Sequence, residues 1–393
     1  MSDAVSASTD SISSSDRSPA TAISTFVDVS VFFTACPAAT MVTSCPSPEA
    51  DSTAVGPRGR GACATPPPSS SRLSTVHTPA QVQPVRNSGS IVTVPNPRRC
   101  TWSTVPVSDL VHLPGATFDV VVDVSTATPG IVHWGEPLGA DPDLDALVAA
   151  LGRPTVAGAL GSVAPVVVVP LHAEGFAGRP GLAGRRGGGR DWSPRFLPTG
   201  HRISDGVLTV DAVDDVAGLA IVTEISVGDV LGVRATLTNV ADRRYSLDAL
   251  TLSLPLPEAA DELLRFEGRW AREFHPIRTS WNDGALVSEH LRGRTSHERP
   301  PLLFAGGRGF GEWTGEVHGV HLAWSGNHTM LAERLADGRR YVQAGELLHP
   351  GEVVLEPGES YTTPLVLGVY SADGLTPATW GFHRAARQSP AHP

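Results

Sequence analysis

Two short stretches carry the side chains that would recognise a polyhydroxylated ligand. One is Gly268-Arg269-Trp270-Ala271-Arg272-Glu273; the other runs from Ser288 to His297 and holds Glu289, Arg292, Ser296 and His297. Trp324-Ser325-Gly326-Asn327 follows them. An indole face stacks on the C–H face of a pyranose, while arginine, glutamate and asparagine side chains hydrogen-bond its hydroxyls. The competing reading makes Trp270 and Trp324 buried packing residues, as large aromatics usually are. Spacing alone leaves both open. Cleaving a glycoside with retention would require two carboxyl groups about 5 Å apart. Glu267, Glu273, Glu289, Glu312 and Glu316 each have an arginine close by in sequence, among Arg269, Arg272, Arg292 and Arg308. They are expected to hold loops through ion pairs and to form no catalytic pair. His275, His290, His297, His318 and His321 lack metal-ligand spacing, and His318 and His321 would point to opposite faces of a strand. No metal and no cofactor is expected.

The elements that must position these groups read as strands. Phe118–Val124 and Gly130–Gly135 form a first pair, and Val166–Val169, between two prolines, reads as a short buried strand. Asp141-Pro142-Asp143 opens a short helix in which Asp141 would cap the free amides, and Leu144, Leu147, Val148 and Leu151 share a face. The glycine-rich segment from Gly178 to Trp192 reads as a loop, without the strand-turn-helix context of a phosphate cradle. From Gly206 onward come Val207–Val210, Leu219–Ile225, Val233–Leu237 and Leu250–Leu256 with period-two alternation. Pro255 cannot donate to a ladder, which makes its strand an edge or ends it early. Asp337-Gly338 marks a tight hairpin between Met330–Leu335 and Arg340–Ala344. The polar stretch around Trp270 shows neither period and reads as a loop. Together these features predict an all-β, antiparallel sandwich with one short helix.

Every one of the 30 basic residues is arginine, and the formal net charge is −10. With no basic patch to replace counterions on phosphate, nucleic acid is excluded as a partner. Residues 1–107 hold 20 Ser and 13 Pro with nearly balanced charge, so they bury little apolar surface and are expected to be disordered. Ala22 to Ala35 is interrupted by Ser24, Thr25, Asp28 and Ser30 and lacks a basic leader, so neither an export signal nor a membrane span is expected. All four cysteines (Cys36, Cys45, Cys63 and Cys100) sit in this tail with spacings that match no zinc or redox motif. A folded part without cysteine is compatible with the cytoplasm. The domain boundaries expected are a tail over 1–107, a β-domain over 108–375, and the start of a linker over 376–393.

Four further groups of residues fall in a recognisable order. Gly268, Trp270, Arg272 and Glu273 are followed by Glu289, Arg292, Gly293, Ser296 and His297; then come Gly315, Glu316, Val317 and Gly319, and then Ser325, Gly326 and Asn327. Leu355-Glu356-Pro357-Gly358-Glu359-Ser360, Thr363-Pro364, Tyr370-Ser371 and Gly381-Phe382-His383-Arg384 close the series, and His133-Trp134-Gly135 opens it. This pattern resembles the N-terminal domain of family 36 glycoside hydrolases, the α-galactosidases of the melibiase and raffinose-degrading type. The resemblance implies a large supersandwich of the galactose-mutarotase kind, followed in the family by a (β/α)8 barrel that carries two catalytic aspartates. It implies that Trp270 reaches over the sugar pocket of that barrel, and that Arg272, Glu273, Glu289, Arg292, Ser296, His297 and Asn327 order the surrounding loops. An α-galactoside would then be met through a barrel or a neighbouring subunit, in a possible homo-oligomer, and the chain alone would be an inactive, truncated part. The alternative is a free-standing carbohydrate-binding or interaction module. His290 and Leu291 stand where the family commonly has Ser and Arg, and Trp324 where Tyr is usual. The family's sugar-contacting aspartate near the first hairpin has no matching acid in Leu151 to Val163.

Overall fold

The computed structural model describes residues 109–153, 163–295 and 297–389. The Ser/Pro-rich tail with its cysteines, and Ser296 of the motif, lie outside the described residues. In chain order the strands begin β1 (Leu110–Pro114), β2 (Asp119–Asp123), β3 (Gly130–Gly135), β4 (Leu182–Arg185), β5 (Leu197–Ser204), β6 (Val207–Asp214), β7 (Leu219–Val227), β8 (Leu231–Asn239), β9 (Tyr245–Leu250) and β10 (Leu252–Leu256). They continue with β11 (Glu262–Arg269), β12 (Arg272–Ser280), β13 (Gly284–His290), β14 (Leu302–Gly306), β15 (Val317–Ala323), β16 (His328–Arg334), β17 (Arg340–Glu346), β18 (Val353–Leu355), β19 (Ser360–Thr362) and β20 (Leu365–Ser371). Two helices accompany them, α1 (Leu144–Leu151) and α2 (Leu375–Gln388).

A ten-stranded antiparallel sheet dominates, in the order β12-β11-β14-β15-β20-β8-β7-β6-β5 with β19 added on β8. Alternation along β7 and β8 turns Leu219, Ile221, Ile225, Leu231, Val233, Ala235 and Leu237 into one continuous core. That core is shared with Leu252, Leu254, Met330, Ala332, Val342 and Ala344 of a four-stranded sheet, order β10-β17-β16-β13. Two three-stranded sheets, β1-β2-β3 and β18-β9-β4, complete the sandwich. The amphipathic α2 covers part of the large sheet's other face, packing Leu375 and Ala378 on Phe304, Val317 and Val369. Asp229 fixes the helix: its carboxylate pairs with Arg384 and accepts from Gln388 Nε2 at 2.8 Å. Among the described residues no helix is long and apolar enough to cross a membrane.

Most strand expectations are met, and β10 with Pro255 lies at a sheet edge. Four differ. The cap of α1 is Asp143, which accepts from Ala146 N at 2.9 Å, two positions after Asp141; none of the helix residues is buried. Val166–Val169 is buried but joins no ladder; instead Val168 N donates to Pro129 O at 2.8 Å and its carbonyl accepts from Ser253 N at 2.7 Å. The glycine-rich segment contains β4, paired with β9. And the stretch around Trp270 is a hairpin, β11–β12, rather than a loop.

Candidate functional site

Trp270 and Ala271 form the tip of that hairpin, between the paired Arg269 and Arg272. Trp270 is 78% exposed. The tip is held from within: Ala271 adopts φ +61, a conformation side chains other than glycine rarely take, and its amide donates to Glu273 Oε1 at 2.8 Å. Arg272 Nη2 lies 3.2 Å from His275 Nε2 on the same strand. A bulge at Gly268 shifts the register between Glu267 and Arg269. Here the chain from His297 to Glu298 presses on the hairpin, and Gly268 N donates to Glu298 O at 3.2 Å. A Cβ at Gly268 would sit 2.7 Å from Arg272 O and 2.8 Å from His297 O, so only glycine lets the two segments meet. Gly268→Ala is therefore expected to cost about 1–3 kcal/mol, as overpacking does, read as a lower midpoint in urea unfolding.

Beside the hairpin lies an open concavity of about 670 Å3. Its walls are Glu267, Gly268, Arg269, Arg272, His275 and Ile277 from the hairpin, Glu289 to Arg292 from the end of β13, and Glu298 with Arg299. Three of the residues singled out in the sequence, Arg272, Glu289 and Arg292, thus meet in one place. Trp270 stands at the tip above them and is not part of the lining; Glu273 braces the turn. Asn327 acts at one remove. Its Oδ1 accepts from Gly293 N at 2.7 Å, while its carbonyl accepts from Trp324 Nε1 at 3.1 Å and Leu347 N at 3.1 Å, so the segment after β13 is tied to the segment after β15. Thr295 adds N to Ser325 O at 2.6 Å and Oγ1 to Trp324 O at 3.1 Å. Trp324 is accordingly a half-open strut of the loop cluster.

Of the five glutamates expected to pair with arginines, only Glu267 has an arginine partner for its carboxylate among the described residues; Glu273 accepts from the turn amide instead, and Glu312 from Thr376 Oγ1 at 3.1 Å. Glu267 pairs with Arg265 across one residue, and Glu298 with Arg292 at 2.9 Å. Arg299, which the sequence reading passed over, donates from Nη1 to Glu289 O at 3.0 Å, and its own carbonyl lies 3.1 Å from His328 Nε2. Its position ahead of Pro300-Pro301, where the chain must be extended, was the available signal. His290, read as a departure from the motif, is buried and stacks on His328 at 5.5 Å with nearly parallel rings. Burial pushes both imidazoles below the ordinary histidine value, with the Arg292 and Arg299 charges adding to the effect at His290. Among the described residues no cluster of His, Cys, Asp and Glu could hold a metal ion. The site thus offers an exposed indole on a stiff hairpin next to an arginine-rich, glutamate-lined bowl: equipment for gripping hydroxyls, with Glu267 and Glu298 of its acids engaged by arginines.

Comparison with known proteins identifies the family of this domain. The profile of the glycosyl hydrolase family 36 N-terminal domain matches residues 127–356. An α-galactosidase from Escherichia coli is 40% identical over 259 residues, covering 65% of this chain and 36% of that protein. The α-galactosidase AgaA of Geobacillus stearothermophilus is 32% identical over 148 residues, 20% of its length. The chain therefore spans about a third or less of these curated relatives. In crystal structures, AgaA superposes with a TM-score of 0.63 at 21% identity, covering 71% of this chain and 43% of that one. The α-galactosidase from Lactobacillus brevis gives 0.63 at 20% identity, with 72% and 42% covered. At such identity these structures show the shared fold.

Proposed function

This chain belongs to glycosyl hydrolase family 36 through its N-terminal domain, and from that premise we propose that it serves as the non-catalytic N-terminal part of an α-galactosidase. In this reading the β11–β12 hairpin carries Trp270 toward the galactose pocket of a catalytic barrel, either its own or that of a neighbouring subunit in a homo-oligomer. The barrel supplies the carboxylate pair that glycoside cleavage needs. The hairpin supplies an apolar face for the sugar, and the bowl with Arg272, Glu289 and Arg292 supplies polar groups at the same edge. What carries the reading is that Trp270 is 78% exposed on a tip whose backbone is fixed by the Glu273 carboxylate and the Gly268 contact. An exposed tryptophan has little reason to be held so firmly unless something binds it.

The 393-residue chain by itself is then expected to hydrolyse no aryl α-galactoside. Glu267 and Glu298 are engaged by arginines and Glu273 by the turn amide, so none is placed as one of two free carboxyls. Joined to the rest of the Escherichia coli relative, it should support turnover. Turnover by the purified chain alone that Glu289→Gln abolishes would overturn this reading.

A further inference from the structure

A second concavity, about 460 Å3, shares no lining residue with the first. It lies between the four-stranded sheet and the β4–β9 edge, and its volume falls within the range of about 300–1,000 Å3 usual for small-molecule sites. The floor is Thr329, Leu331 and Gln343, three residues on one face of β16 and β17. Gln343 Nε2 donates to Arg179 O and to Ser253 Oγ, each at 3.2 Å, which commits both amide hydrogens and leaves its oxygen as an acceptor. Thr329 Oγ1 is buried with no hydrogen-bond partner. Two polar groups on this floor thus have unused capacity.

The wall is shaped by an irregularity. In the β4–β9 ladder Ala183 pairs with Ala249 and Gly184 with Leu247, so Asp248 is the extra residue of a bulge. Bulges re-aim side chains, and here Asp248 lines the concavity, ion-paired with Arg185. Gly184 is the residue that allows it, because a Cβ there would lie 2.5 Å from the Tyr245 ring. On the rim stands Trp192, 54% exposed, its ring set edge to face against His172 at 4.9 Å. A stacking face, a guanidinium-carboxylate fork and a neutral polar floor match a ring with one apolar face and several hydroxyls. Arg185 and Asp248 pair with each other, and the remaining charged lining residue, Arg179, has the Glu333 carboxylate 3.3 Å from its backbone amide, which disfavours an anion or a cation.

We propose that this concavity binds a neutral pyranose unit of an oligosaccharide, at a place apart from Trp270. It does not rest on the reading of the Trp270 hairpin. Saturation-transfer NMR and titration of the full chain with maltose, lactose and melibiose, with glucuronate as the anionic control, test it. At least one neutral disaccharide should bind in the millimolar range. Trp192→Ala and Asp248→Asn should each weaken it tenfold or more while leaving thermal unfolding unchanged, and Trp270→Ala should leave the affinity as it was. The proposal is overturned if none of the three disaccharides binds, if binding survives Trp192→Ala, if Trp270→Ala removes it, or if glucuronate binds more tightly than the neutral sugars.

Discussion

Replacing Arg186 with methionine is expected to lower the stability of the domain by about 3–5 kcal/mol, the cost of removing one partner from a buried ionic network. Arg186 is 3% exposed. Its Nη2 donates to Ala217 O at 2.7 Å, Gly218 O at 3.1 Å and Asn239 Oδ1 at 2.9 Å, its Nη1 to Arg243 O, and its Nε lies 3.2 Å from Ala217 O and from the Asp191 carboxylate. Asn239 extends the network, donating from Nδ2 to Arg243 O at 2.8 Å and Leu355 O at 2.9 Å. One guanidinium thus satisfies the carbonyls where β4, the β6–β7 turn and the end of β8 converge. Methionine matches its volume and can still lie near the Tyr245 ring, 5.3 Å from the guanidinium carbon. It cannot donate, so several buried acceptors and Asp191 would lose their partner. Arg186→Lys keeps the charge with fewer, less directed donors and should fall between the two. Urea unfolding of the three proteins measures the difference. A loss under 1 kcal/mol for methionine would mean that water replaces the guanidinium.

Acid should destabilise this protein well before its carboxylates protonate. His318 sits between Trp134 and Tyr370, its Nε2 donating to Trp134 O at 3.0 Å, and burial pushes its pKa from 6.5 down to about 4. The unfolded chain binds a proton near pH 6.5 and the folded one only near 4, so stability is full above 6.5 and falls as the pH drops through that window. At about 1.4 kcal/mol per pH unit, His318 alone accounts for about 3 kcal/mol. His290, His321 and His328 are shifted the same way by burial and add to the slope. Replacing His318 with glutamine, which can still donate to Trp134 O, should flatten the pH dependence between 6.5 and 4 by about that amount. Parallel curves for the two proteins over that window would contradict it.

The strands with one buried face could be read from alternation because period two survives only where water lies on one side and core on the other. In β7, Leu219, Ile221 and Ile225 show it directly. The same physics hides β12. From Arg272 to Ser280 only Ile277 and Thr279 are even half-buried, so its polar sequence carries no period although its backbone pairs with β11 everywhere but at Glu273 and Phe274. β4 was masked by glycine, and Gly184 is glycine because the Tyr245 ring occupies the space of a side chain. Val166–Val169 is as apolar as a strand because it is buried, yet its hydrogen bonds go to Pro129 and Ser253 rather than to a ladder. In the site, Arg272, Glu289 and Arg292 could be picked out by motif. Their true partners could not, since Glu298 and Arg299 fold back on Arg292 and Glu289 through an irregular turn after β13, which neither helical nor strand period encodes.

The central claim, that Trp270 is a ligand-facing residue on a preformed hairpin, is tested most directly by Trp270→Ala in this domain fused to the rest of the Escherichia coli relative. Thermal unfolding and steady-state kinetics on an α-galactoside are measured on the same preparations. An exposed tip should tolerate the change within about 0.5 kcal/mol, so the melting temperature stays within a few degrees. Losing the stacking face should lower kcat/KM tenfold or more, about 1.4 kcal/mol of transition-state stabilisation. Unfolding of Trp270→Ala, or a folded variant with unchanged kcat/KM, would contradict the account.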